Sequence, residues 1–417
     1  MKNRNSATAR TTPVILLLVS VLMVSSLAVV GEVSAAENYD WPMFHHDLQH
    51  TGYSASPAPT TNQTLWNTTT GGSVESSPTV ADGKVYAGSD DNDVYCIDAA
   101  TGMLMWSYAT GGKVYNSPAV AEGRVYFGSL DNNVYCLDAA SGVKLWNYTA
   151  GDDIDLSSPV VADGKVYVGS LDKNVYCLDA VSGAKLWNYT TGDKVYASPA
   201  VAEGKVYVGS WDKNVYCLNA ATGALVWNYT VGNWVSSAAA ISGGKVYVGS
   251  YDGKIYCFDA SGALVWNYAT GSQVSSSPAV ADDVVYVGAH NNKVYALSAS
   301  TGASIWNYTT GLLVWLSSPA VADGKVYVGS LDRKVYCLDA ATGTLIWSYT
   351  TGDMVNSSPS VANGVVYVGS FDSNVYAFST DPPIPEGITL AAMLLLSTVA
   401  VIVGMSYFHK RPKGQNW

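Results

Sequence analysis

The stretch Ser157-Ser158-Pro159-Val160-Val161-Ala162-Asp163-Gly164-Lys165-Val166-Tyr167-Val168-Gly169-Ser170-Leu171-Asp172-Lys173-Asn174-Val175-Tyr176-Cys177-Leu178-Asp179-Ala180, completed by Ser182-Gly183 and Leu186-Trp187-Asn188-Tyr189, decides the fold. Four short β-branched or aromatic runs alternate there with Gly, Asp and Asn turns, the pattern of four strands. Strand A is the Ser-Ser-Pro segment through Ala162, strand B starts at Lys165, strand C at Asn174 and strand D at Leu186. Asp163-Gly164 fits a primed hairpin turn, in which Gly supplies positive φ. Val175 and Cys177 point one way while Tyr176 and Leu178 point the other, so the sheet is apolar on both faces. Such a sheet must be stacked against neighbours.

Working outward, the unit recurs. Trp66, Trp106, Trp146, Trp187, Trp227, Trp266, Trp306 and Trp347 follow one another at intervals of 39 to 41 residues. No useful 3.6-residue apolar stripe appears, which excludes helical repeats of similar length. Four-stranded sheets of about 40 residues packed around an axis make a β-propeller. The expected fold is therefore all-β, with eight four-stranded blades. The last unit ends at Phe378-Ser379-Thr380 without a D strand, while Thr64-Leu65-Trp66-Asn67-Thr68 precedes the first A strand without a unit of its own. These leftovers complement each other, so the strand around Trp66 is expected to become the outer strand of the last blade, removing the edges of an open stack.

Composition and the two ends place the ring. Charged residues are 13% of the 417, aromatics 12%, and net charge is −11, with several of the basic residues at the termini. An acidic body repels phosphate backbones, so no nucleic-acid partner is expected. Lys2, Arg4 and Arg10 precede the apolar run Val14 to Val30, and Val33-Ser34-Ala35 offers small residues for cleavage. This reads as a signal peptide or signal anchor over 1–36. A lead-in over 37–61 and the ring over 62–380 follow. Asp381-Pro382-Pro383-Ile384-Pro385-Glu386-Gly387 reads as a stiff linker over 381–387. The uncharged run Ile388 to Tyr407 is about 30 Å long as a helix and matches a bilayer core, giving a transmembrane helix over 388–408. His409-Lys410-Arg411-Pro412-Lys413 begins a basic cytoplasmic tail over 409–417, which puts the ring on the exterior side of a cell membrane.

The segment Leu137-Asp138-Ala139-Ala140-Ser141-Gly142-Val143-Lys144-Leu145-Trp146 resembles the tryptophan-docking motif of the pyrroloquinoline quinone (PQQ)-like propeller family. The pattern recurs at Asp179 to Trp187, Asn219 to Trp227 and Asp339 to Trp347, and Trp41-Pro42-Met43-Phe44-His45-His46-Asp47-Leu48-Gln49-His50-Thr51-Gly52-Tyr53 looks like a family lead-in. Independently, an indole buries about 150 Å² or more and its N–H needs an acceptor, so each docking Trp can lock one blade onto the next.

The resemblance implies two activities. Quinoprotein dehydrogenases of the family bind PQQ and calcium, many with a disulfide between adjacent cysteines. Here no Cys-Cys pair exists, and only Arg124 and Arg333 lie between the targeting ends as forks for a tricarboxylate. The long inserted loops of such enzymes are missing too. The family also includes a noncatalytic outer-membrane assembly lipoprotein that acts through partner proteins; a lipid-attachment Cys is absent here. No catalytic residue, metal or cofactor is therefore assigned.

Other features read as structural. Cys96, Cys136, Cys177, Cys217, Cys257 and Cys337 share one position of strand C, on sheets about 10 Å apart, too far for disulfides, so they read as core residues. His45, His46 and His50 read as packing groups of the lead-in, and Asp90-Asp91-Asn92-Asp93 as a solvated turn whose spacing does not match a calcium loop. Asn62, Asn67, Asn147, Asn188, Asn228, Asn307 and Asn356 begin glycan acceptor sequons, which makes outer-edge glycosylation an expectation.

Function should sit where the units differ. In a four-stranded blade the D–A and B–C connections emerge on one face, and both vary here. The D–A series offers Tyr115, Tyr196, Trp234 and Trp315, and the B–C tips offer Trp211, Tyr251, His290 and Phe371. Units three and seven carry an extra residue around Asp152 to Leu156 and Leu312 to Leu316, on opposite sides of the ring. Exposed aromatics around a concavity form binding surfaces for peptides or sugars. The expectation is a membrane-anchored, noncatalytic binding or scaffold protein that takes protein or cell-surface glycan on this face.

Overall fold

In a computed structural model, residues 39–380 are described, and they form a ring of eight sheets of four repeat strands each. The predicted signal segment, linker, transmembrane helix and tail lie outside the described residues. Among the described residues no helix is long and apolar enough to cross a membrane. Blade 3 shows the plan: Val160–Ala162, Lys165–Gly169, Asn174–Asp179 and Lys185–Thr190 pair antiparallel in sequence order. Asp163 and Gly164 in the A–B turn both have positive φ, 49° and 69°, as a type I′ hairpin requires.

Strand A is shorter than the sequence suggests, three residues in each blade. The Ser-Ser-Pro segment lies outside the ladder because its polar groups are used elsewhere and Pro has no N–H to give. Ser157 Oγ accepts from Gly169 N–H at 2.8 Å and donates to Ala197 O of the next blade, while Ser158 N–H donates to Ser198 Oγ at 2.9 Å.

The core lies between blades. Tyr167, Val175 and Cys177 of blade 3 pack against Val206, Val208 and Leu218 of blade 4, all buried. Each such aliphatic side chain contributes about 1.5–3 kcal/mol. The six cysteines are fully buried and unpaired. Gly169 is small because the next blade needs the room: a Cβ there would lie 2.4 Å from Val195 Cγ1. Around the outside, every docking indole but Trp347 donates to the C–D turn of the following blade, as Trp146 does to Ala180 O at 3.1 Å. It also covers a turn glycine, here Gly183.

Closure follows the expected route. Gln63–Thr69 is the outer strand of the last blade, with Trp66 opposite Ala377. The lead-in does more than enter the ring. It runs along the inner strands, with Trp41 bridging Val80, and the carbonyls of Pro42, Leu48, Gln49, Thr51 and Gly52 accept from five further A strands. Tyr53–Ser54 then adds a parallel strand to Ala320–Ala322 of blade 7. His45 and His50 are buried in this plug.

Candidate functional site

The variable loops make a single lip in every blade, because each B–C tip donates its N–H to the D–A loop beside it. Trp211 gives to Lys194 O at 3.0 Å, Tyr251 to Trp234 O at 2.9 Å, His290 to Gln273 O at 2.9 Å and Phe371 to Met354 O at 2.9 Å. The lips surround a pocket lined by Glu75, Tyr115, Leu156, Tyr196, Leu316 and Asn356, with Phe44 of the lead-in also lining it.

A ring of serines encircles this pocket. The N–H of Ser77 donates to Ser117 Oγ, Ser117 to Ser158, Ser158 to Ser198, Ser277 to Ser318, Ser318 to Ser358 and Ser358 back to Ser77, at 2.9 to 3.2 Å. Ala238 gives to Ser277 Oγ but has no hydroxyl to offer Ser198. The circuit is broken at that one blade.

Five predicted site residues form an aromatic arc along blades 4 to 6. Tyr196 stacks on Trp211 with centroids 4.2 Å apart, and Trp211 on Trp234 at 4.3 Å and 4°. Trp234 leans on Tyr251 at 5.9 Å, and Tyr251 meets His290 edge-on at 5.8 Å. Both faces of Trp211 are thus covered, and its Nε1 donates to Ser236 Oγ at 2.8 Å. The ring edges and Trp234, which is 39% exposed, are what the arc presents outward. Trp315, also 39% exposed, stands beside it through Ser275, whose Oγ contacts His290 Nε2 and donates to Trp315 O, each at 2.7 Å. Burial lowers the His290 pKa, favouring the neutral ring.

Tyr115 and Phe371 lie away from the arc. Tyr115 belongs to an acidic sector on blades 1 to 3, where Lys113 Nζ donates to both Tyr115 Oη and Asp90 Oδ2 at 3.0 Å. Burial and the Asp90 and Asp155 carboxylates push Glu75 up to about 7, against the opposing hydrogen bond from Asn356 Nδ2 at 3.2 Å. Burial and Asp153 push Asp155 up to about 6. At the pocket itself the arc contributes Tyr196 and the acidic sector contributes Glu75 and Tyr115.

Two expectations need correction. Asn356 is 2% exposed with its amide held by Glu75, so this sequon is closed to a transferase. The dense Asp90 to Asp93 turn is not simply solvated: Asp91 Oδ2 accepts from Gly71 N–H and Tyr95 Oη, and Asp90 pairs with Lys113. Phe44 and the serine circuit were missed as pocket residues. The circuit's signal was present, a Ser before Pro in every unit but the one carrying Ala238-Ala239.

The pocket does not fit PQQ with calcium. A tricarboxylate needs cationic forks, whereas Arg124 begins strand B on the opposite face, Arg333 does not line the pocket, and Glu75 does. Among the described residues no cluster of His, Cys, Asp or Glu could hold a metal ion.

Solved structures share this fold. BamB from Moraxella catarrhalis matches 76% of this chain and 99% of its own at 21% identity, with a TM-score of 0.66. Quinohemoprotein alcohol dehydrogenase from Comamonas testosteroni matches 86% and 83% at 16% identity and 0.73. A europium-containing methanol dehydrogenase matches 82% and 98% at 15% and 0.71. None of the curated proteins compared with the sequence matches it. The family described as outer membrane protein assembly factor BamB matches over residues 55–160, 153–234, 212–314 and 309–382, and the chain, a propeller of PQQ-like repeats, belongs to that family.

Proposed function

We propose that this propeller is a noncatalytic binding protein, anchored to the exterior side of a membrane, that takes a protein partner on the face formed by the D–A and B–C lips. The observation that carries this reading is the aromatic arc from Tyr196 to His290. Its internal stacking fixes the rings before a partner arrives, so little side-chain entropy is lost on binding. Trp and Tyr edges in a rigid frame beside carboxylates suit a peptide surface bearing both apolar and cationic groups. The family of assembly factors to which the chain belongs and the poor fit of the pocket to a quinone point the same way. The apolar run Ile388 to Tyr407 with its basic tail supplies the anchor.

The test is capture of binding partners by the purified ring carrying W211A, W234A and W315A together, beside the wild type, with surface glycans among the baits. The reading expects the wild type to retain a protein that the triple variant loses, while both melt cooperatively. Retention by both, or capture of glycan alone, contradicts it.

A further inference from the structure

Both ends of the described chain leave the ring from one face. At the start, Tyr39 N–H donates to Asn363 Oδ1 at 2.9 Å and Asp82 N–H to Asp40 Oδ2 at 3.2 Å. Asn363 and Asp82 are the A–B turn residues of blades 8 and 1, each with positive φ. At the finish, Ser379 sits opposite Gln63 and Val365, and Thr380 Oγ1 accepts from Thr60 N–H at 3.1 Å. That is again the A–B and C–D side, opposite the lips of the pocket. Whichever apolar segment holds the chain, the tether starts from this face.

The rim of the same face is apolar in a way a free surface does not need. Met103, Val143 and Val181 in successive C–D turns are 60 to 64% exposed, and the outer strands continue the belt with Leu104, Leu225 and Leu345. The A–B turns are nearly charge-balanced: in five of them an acid is followed two residues on by a base, as with Asp82 and Lys84 or Asp323 and Lys325, while Asp282-Asp283 of blade 6 has no such base and Lys245 of blade 5 no such acid. Aspartates in the C–D turns, such as Asp98 and Asp339, add negative charge, so contact here is apolar and not electrostatic.

Resting on the anchored reading above, we infer that this face lies against the lipid bilayer, with the apolar rim at the headgroup boundary and the pocket turned away from the membrane. The reach of the tether supports the orientation. Asp381 to Gly387 spans at most about 25 Å fully extended, while the six-residue C strands that separate the two faces are already about 20 Å long before loops are added. A chain leaving the lower face cannot pass up and around the ring within that reach. The pocket then meets partners held on another surface.

The experiment uses the full chain in phosphatidylcholine vesicles. Because the native cysteines are fully buried, a single surface cysteine takes a fluorophore selectively, at A140C in a C–D turn or at Q273C in a D–A loop. Flotation with the vesicles is scored first; a chain that does not float refutes the anchor, and with it this inference. For chains that float, energy transfer to a headgroup-attached acceptor should be strong from position 140 and several-fold weaker from position 273. Equal transfer, or stronger transfer from position 273, overturns the orientation while leaving the anchor intact. Replacing Met103, Val143 and Val181 by Ser should lower transfer from position 140; no change removes the rim from the contact.

Discussion

Trp347 Nε1 donates to the carbonyl of Pro59 at 3.3 Å, whereas the docking tryptophans of the other blades use an alanine carbonyl in the next C–D turn. Tyr327 Oη donates to the same oxygen at 3.0 Å. The last blade has no C–D turn, and the chain before the closing strand takes its place. Closure therefore copies the ordinary blade contact with a segment from the other end of the chain.

Trp66 carries that closure onward, with Nε1 on Ala99 O at 2.9 Å and its ring against Gly102. Trp66→Ala should lower stability by about 3–5 kcal/mol, the usual cost of emptying a buried indole site. Denaturant unfolding measures this; a loss below about 1 kcal/mol would mean that the seam bears little of the fold.

The serine circuit predicts a gain. Ala238→Ser restores the missing acceptor for Ser198 N–H, and a buried hydrogen bond contributes about 0.5–1.5 kcal/mol. The variant should melt a few degrees above the wild type. A lower melting temperature would show that the site lacks room for the hydroxyl.

Much of this was legible in the sequence because its cause is periodic. The tryptophan interval, the turn glycines and the two unmatched half-units state the blade, the ring and its seam. The path of the lead-in was not legible, since it is held by main-chain carbonyls such as Pro42 O and Leu48 O on Val120 and Val201 N–H, and no side-chain pattern encodes such bonds. The variable aromatics were legible as a set, but not their stacking. Tyr196, Trp211 and Trp234 come together only through the lip geometry, which also leaves Tyr115 and Phe371 apart.

Acid should loosen the plug. Burial holds His45 at about 4, against the opposing His50 carbonyl and Asp47, and burial together with the His45 charge holds His50 at about 3, against Asp47, both below the ordinary histidine value. Because the folded values are depressed, the unfolded chain takes up these protons first as pH falls through about 6.5. Stability should drop from there toward pH 3 to 4. Glu75, raised to about 7, has the opposite sign and costs stability as pH rises from about 4.5 through 7. Melting curves should show the acid loss reduced in His50→Gln and a higher melting temperature at pH 8 in Glu75→Gln. Profiles identical to wild type would contradict the burial assigned to these groups.

The quinone reading has its own check. Adding PQQ with calcium should leave the melting temperature unchanged, since a ligand that binds the folded state raises it by mass action. A dose-dependent rise, with dye reduction by an alcohol, would make the protein a dehydrogenase.

The central claim, that the arc is a partner-binding surface, is met most directly by photocrosslinking in intact membranes. A photoreactive side chain placed at position 234 in the lip should yield a discrete protein adduct, while the same group at position 181 on the lower rim should yield only lipid adducts. Protein adducts from position 181 and none from position 234 would contradict the account.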